Sequence, residues 1–233
     1  MTPLLPEDKL IWSPVVANSR MNRQRNASGI NSYEQEFNFK PEDFLASRIK
    51  SNGNTSWLDL CCGEGNALVQ IAAYFYDKGL EQKIHLKGVD LLDTFPNINE
   101  KFSCISFETA AVVNYVPRQK YDLITCVHGI HYLGDKLKFL ENAINALSSD
   151  GVFIGNLDLN NIIINNKNSG QWLSDFFKRS GITYNNKSRI IKKEGAAVVN
   201  FGLHYIGADD TSGPNYTGQE AVTSYYNSPG VAL

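Results

Sequence analysis

Residues 57–68 read WLDLCCGEGNAL: an apolar run of strand type, then Gly63 and Gly65 one residue apart, then the start of an apolar helix. Glycines at a strand-to-helix switch allow a tight turn and let backbone N–H groups approach a ligand closely. The next strand-like run, Ile84–Val89, stops at Asp90. A carboxylate there can accept two hydrogen bonds from a ribose diol. Both features also suit a dinucleotide, so neither decides the ligand.

Outward from that turn the chain alternates strand and helix. Ser56–Cys61 is the first strand, followed by a helix from about Asn66 to Tyr76. Phe102–Phe107 is a weaker third strand, Tyr121–Val127 a fourth and Gly151–Leu157 a fifth. Between the last two, Leu137, Leu140, Ile144 and Leu147 mark one face of a helix. Such alternation predicts a parallel sheet with helices on both faces. After Asp158 the spacing predicts a loop over Asn160–Gly170 interrupted by Ile162–Ile164, then a helix carrying Trp172, Leu173, Phe176 and Phe177. Two further strands, Arg189–Lys193 and Val198–Ile206, would be joined at Glu194-Gly195. Asp209–Thr217, rich in Gly, Pro and Asn, leads into the tail. Upstream, Ser19–Phe39 is polar and carries Arg20, Arg23 and Arg25. Pro41 then opens a helix with Glu42 and Asp43 in its first turn, and Asn52-Gly53-Asn54 ends it. Residues 1–52 are therefore taken as a mostly helical cap or lid, and 53–233 as the core.

Two details narrow the ligand. A dinucleotide loop wants a third glycine for close helix packing, and that position is Leu68. Asp59 lies inside the first strand, four residues before Gly63. A buried carboxylate so near the loop would repel a pyrophosphate and suit an ammonium or an ordered water network.

The D-x-x-x-G-x-G pattern with a later strand-end Asp resembles class I (Rossmann-like) S-adenosylmethionine-dependent methyltransferases. The resemblance runs from about Trp57 to Asp158. YDLITCVHGIHYL at 121–133 is similar to that family's fourth-strand segment, and LSSDGVFIGNLDL at 147–159 to its fifth. It implies a doubly wound, mostly parallel seven-stranded α/β sheet with an antiparallel last strand, closed by the strand pair after residue 188. It also implies S-adenosyl-L-methionine as cofactor and S-adenosyl-L-homocysteine as product. The methionine moiety would lie over Asp59, Gly63 and Gly65 with Cys61 and Val127 beside it, the ribose on Asp90, and the adenine edge beside Leu91. The acid that family usually carries after its third strand falls on Ala110 or Ala111, with Glu108 slightly early, so adenine contacts there would come from the backbone. The cap would supply Arg25 and Tyr33 to the cofactor's carboxylate. His128, and after it His131, follow the fourth strand and are the candidate bases, since histidine titrates near neutral pH.

Composition removes other classes. The chain has 233 residues, 42% hydrophobic and 20% charged, with 22 basic against 24 acidic side chains and a net charge of −2. Nucleic-acid binders usually carry a basic face, so the expected acceptor is an O or N atom of a small molecule or short peptide. No run approaches the roughly 18 apolar residues of a membrane span. Four cysteines (Cys61, Cys62, Cys104, Cys126) show no CxxC spacing, which predicts reduced, buried thiols, no metal site and a cytoplasmic location. Competing readings are a non-catalytic S-adenosylmethionine-binding partner subunit and, more distantly, an NAD-dependent oxidoreductase.

Overall fold

A computed structural model describes residues 3–16, 23–98 and 102–229. Seven strands form the main sheet: β1 (Thr55–Leu60), β2 (Ile84–Asp90), β3 (Ile105–Thr109), β4 (Tyr121–Cys126), β5 (Leu147–Asn156), β8 (Ile182–Asn185) and β9 (Ile190–Glu194). Their order is β3-β2-β1-β4-β5-β9-β8. All run parallel except β9, the last of them in the chain, which is antiparallel to both β5 and β8. β1 lies at the centre, and Asp59 stands opposite Gly88 on one side and Thr125 on the other.

The central strands are buried almost throughout because helices cover both faces. Side chains alternate across β1. Trp57 joins the layer of Leu45 and Ile49 from α3 (Pro41–Asn52) and of Leu68, Ile71 and Phe75 from α4 (Asn66–Asp77). Leu58 and Leu60 join the opposite layer with Leu140 and Ile144 of α5 (Lys136–Asn145) and Phe177 of α6 (Gly170–Arg179). So α3, whose Pro41 start and Gly53 stop match the sequence signals, is a layer of the sandwich. Two shorter helices before it, α1 (Glu7–Leu10) and α2 (Tyr33–Phe37), arch over the sheet's carboxyl edge.

Three expectations need correction. The third strand begins at Ile105, three residues later than Phe102. The closing hairpin pairs Arg189–Lys193 with the segment before it: Ile182 lies opposite Lys193 and Asn185 opposite Ile190. Asn185 closes that turn locally, its Oδ1 accepting from the N–H groups of Lys187 and Ser188. Val198–Ile206 cannot serve as the partner strand, because the N–H groups of Val199 and Phe201 donate to Asn145 and Glu141 of α5. Finally, Asn160–Gly170 is not a plain loop. Ile162–Ile164 (β6) and Lys167–Asn168 (β7) form a hairpin through Asn165 and Asn166, both at positive φ. With β10 (His204–Asp209) and β11 (Thr223–Asn227) they build a second sheet, ordered β10-β11-β6-β7. Lys136, fully buried, ties this sheet to the start of α5 by donating to the carbonyls of Leu133 and Val222 and to Ser224 Oγ.

Candidate active site

The chain leaves β1 at Leu60 and turns through Cys61, Gly63 and Gly65, at φ 58°, 60° and 75°, before α4 starts. Gly63 is required twice over: its conformation is left-handed, and a Cβ there would stand 2.6 Å from the carbonyl oxygen of Arg23. The turn is held by Asp90 at the end of β2. Asp90 Oδ2 accepts from Gly63 N–H at 2.8 Å, and Oδ1 from Leu92 N–H at 3.1 Å. The Arg23 guanidinium pairs with that same Oδ1 at 3.3 Å, and Arg23 O accepts from Glu64 N–H.

Over this turn lies a cavity of about 290 Å³. Its walls include the glycine loop, the ends of β2 and β4, and residues of the arch from the stretches 7–16 and 23–33. Of the residues singled out from the sequence, Tyr33, Arg25, Cys61, Gly63, Asp90, Leu91, Ala111, Val127 and His128 line it, whereas Asp59, Gly65, Ala110 and His131 do not. Arg20 lies outside the described residues.

Asp59 is instead a buried junction. Thr125 Oγ1 donates to its Oδ1 at 2.5 Å and Tyr33 OH to its Oδ2 at 2.7 Å, while Trp57 Nε1 donates to Thr125 Oγ1. Burial outweighs those two donors and pushes the carboxyl up to about 7. The same interior, with Asp59 beside it, holds the Tyr33 phenol well above its ordinary value. Gly65 serves as the left-handed N-cap of α4, and Ala110 N–H donates to the Asp90 carbonyl just beyond the cavity wall.

The two histidines after β4 differ. His131 is buried, neither ring nitrogen has a partner among the described residues, and Tyr216 packs edge-on against it at 5.5 Å. Burial, then the neighbouring His128, push His131 down to about 3. His128 sits at φ 56° with its N–H donating to Asn156 Oδ1. Its Nε2 meets Glu36 Oε1 at 3.1 Å, and that oxygen also accepts from Asn156 Nδ2 at 2.9 Å. Arg25 lies 3.6 Å from the other oxygen of Glu36. The hydrogen bond from His128 is the main reason the Glu36 carboxyl is lowered.

Sequence reasoning missed Glu36, Asn156 and Tyr216, and gave Arg23 no role in the site. Ser32 followed by Tyr33-Glu34-Gln35-Glu36 does signal a helix start, and Ser32 Oγ indeed accepts from Gln35 N–H. Nothing local tells that Glu36 would meet a histidine 92 positions on. The cysteines are packing groups: Cys61, Cys62, Cys104 and Cys126 are free, and the thiols of Cys61 (chiefly through Cys126) and Cys62 (through burial) are held well above their ordinary value. Among the described residues no group of three or more His, Cys, Asp or Glu gathers as a metal site, and no helix is long and apolar enough to cross a membrane.

The profile of a family described as a methyltransferase domain matches residues 30–190, well over half of the chain. No curated protein matches. Among solved structures, the plantazolicin methyltransferase is similar at 18% identity and TM-score 0.40, with 64% of this chain and 51% of that one covered. A putative sarcosine dimethylglycine methyltransferase from Galdieria sulphuraria is similar at 16% identity and TM-score 0.37, covering 60% and 52%. An amino pentose methyltransferase from Micromonospora echinaspora is similar at 16% and 0.36, covering 48% and 47%. The chain thus spans about half the length of these structures, and likeness at this level says nothing of acceptor or residue roles.

Proposed function

The chain belongs to the methyltransferase-domain family, and from that premise we propose that it transfers a methyl group from S-adenosylmethionine to an oxygen or nitrogen atom of a small molecule or short peptide. The observation that carries the reading is Asp90: a buried strand-end carboxylate on the cavity wall, hydrogen-bonded to the glycine-loop N–H. A carboxylate offers about four lone-pair directions, and three donors now use them. A ribose diol takes the fourth and the one freed when Arg23 withdraws. The residues present therefore fit the cofactor, provided Arg23 draws back from the loop. The present cavity stands at the lower edge of the roughly 300–1,000 Å³ usual for small-ligand sites, which accords with that opening.

S-adenosylmethionine supplies an electrophilic methyl group on a sulfonium. In this reading Asp90 orients the ribose, Leu91 and the backbone at Ala110–Ala111 flank the adenine, and Gly63 with Cys61 and Val127 borders the methionine part. Arg25 and Tyr33 close that end from the arch. Asp59, outside the cavity wall, supports the site through Tyr33 rather than by contact. His128 accepts the proton that an O–H or protonated amine acceptor must lose, while the arch excludes water and aligns the reactants. His131, buried and held neutral, shapes the pocket. The arch is the lid of this reading within residues 1–52, and α3, the last part of that segment, packs on the core of 53–233. Four free thiols support a reducing compartment such as the cytoplasm.

Two measurements test this. Calorimetric titration should show binding of S-adenosylhomocysteine and none of NAD; the reverse result would replace methyl transfer by hydride transfer. His128→Asn, assayed with saturating cofactor and a panel of acceptors from pH 6 to 9, should lose about 10²-fold in turnover with cofactor affinity retained. Full turnover in that variant removes the base role. Binding without turnover on any acceptor would favour the non-catalytic partner.

A further inference from the structure

The contact between the arch and the edge of β4 is the feature that base assignment does not use. Glu36 is anchored on three sides: Ser32 caps its short helix, Tyr33 roots that helix in Asp59, and Asn156 from the end of β5 donates to Glu36 Oε1. Tyr33 and Glu36 are three residues apart and share one face of α2. The buried Tyr33–Asp59 bond therefore fixes the height at which Glu36 meets His128. We infer that Glu36 is the positioning residue of the reaction: its carboxylate holds the proton of His128 on Nε2 and leaves the Nδ1 lone pair as the atom that takes the acceptor's proton. The inference rests on the reading of His128 as base and names the atom and the partner that reading lacked.

The geometry leaves one tautomer. An ionised carboxylate only accepts, so the 3.1 Å contact requires N–H on Nε2. In neutral imidazole the other nitrogen is then the acceptor. Every charged or titratable group facing the pair fits this state. Arg25 balances Glu36 from the arch, and Tyr216 approaches Asn156 at 3.4 Å without contacting the carboxylate. His131, on the same turn as His128, is neutral and carries no competing charge. The proton passes from the acceptor's O–H or N–H to Nδ1. The resulting imidazolium is held by Glu36 until Nδ1 returns the proton to solvent.

The test is nuclear magnetic resonance on protein labelled with ¹⁵N at its histidines, with His128→Asn used to assign the signal. In the free protein above neutral pH, His128 should show the Nε2–H pattern. In Glu36→Gln, which keeps the shape but can donate as well as accept, the proton is no longer confined to Nε2, and the Nδ1–H share of the neutral ring should rise. Turnover should fall as that share rises, through kcat rather than KM, and Glu36→Asp should restore part of both. An Nδ1–H pattern in the wild type overturns the inference. So does an Nε2–H pattern unchanged in a natively folded Glu36→Gln protein, since the carboxylate would then not be what holds the proton there. The spectrum needs no acceptor. It stands or falls separately from the base assignment, which full turnover of His128→Asn would remove on its own.

Discussion

Asp59→Asn should make the protein's stability less dependent on pH, in a direction that follows from where Asp59 sits. Its carboxyl is fully buried and titrates at about 7, against 3.8 in an exposed setting. Between those values the unfolded chain has lost the proton and the native protein still holds it. The native state then binds more protons, so stability falls as pH rises through the window and the whole cost is present above pH 7. At about 1.4 kcal/mol per pH unit, a gap of about three units costs about 4 kcal/mol. From pH 5 to pH 8 the wild type should lose about 2.5 kcal/mol of this, being the part of the window that remains. Asn does not titrate. Its rearranged hydrogen bonds to Thr125 and Tyr33 add an offset, but one independent of pH. Urea unfolding of both proteins at pH 5 and pH 8, followed by tryptophan fluorescence, measures the difference, because Trp57 is buried and bonded to Thr125. The gap between them should move toward Asn by about 2–3 kcal/mol. A gap constant within about 0.5 kcal/mol would mean that Asp59 ionises as an ordinary carboxyl and would refute the argument.

Arg23→Met should bind S-adenosylhomocysteine about three- to tenfold more tightly by calorimetry, since a partly buried pair of about 1 kcal/mol no longer has to break on loading; weaker binding would make Arg23 a cofactor ligand. Gly63→Ala should lose about 1–3 kcal/mol in a urea melt and most cofactor affinity, because φ of 60° and a contact at 2.6 Å to backbone both resist a Cβ; a native-like melt would show that the loop can shift. Lys136, fully buried, is pushed down to about 7 from 10.5 by burial. The unfolded chain keeps that proton to higher pH, so wild-type stability should climb from pH 7 to 10, and Lys136→Met should flatten that climb; equal slopes in the two proteins would place the charge in water.

The parts legible in the sequence were those whose signals are local. The turn from β1 into α4 announces itself in Gly63, Gly65 and the apolar runs on either side. The start of α3 at Pro41 and its stop at Gly53 need only adjacent residues. The hairpin at 182–194 was misjudged because Ile182–Asn185 is half exposed and looks weaker than the valine-rich run after it. What decided the pairing was the capture of two backbone N–H groups by Asn145 and Glu141, residues 54 and 60 positions away. The second sheet joins strands of two to six residues from 162 to 227, too short and too scattered for periodicity to register. The site divides the same way. Asp90 and His128 follow from their places at strand ends, whereas Glu36 has no spacing that links it to either.

The buried carboxylate and the half-buried Glu36–His128 pair are parts of one arrangement. A carboxyl group held at about 7 in the centre of the sheet weakens the fold at neutral pH, and Val or Thr would fill a central strand at less cost. What Asp59 does that those residues cannot is accept two hydroxyl donors at once, one from β4 and one from α2. Trp57, Thr125, Asp59 and Tyr33 thereby form a continuous line of hydrogen bonds from the sheet interior to the arch. Without that line, α2 would rest on the sheet through apolar contacts such as Tyr33 on Trp57, which fix distance but not height. A shift of one turn, roughly 5.4 Å, would carry Glu36 beyond reach of His128. The polar network at Asp59 thus sets the register on which the contact at the cavity edge depends, a use of buried polar groups that trades stability for a single geometry.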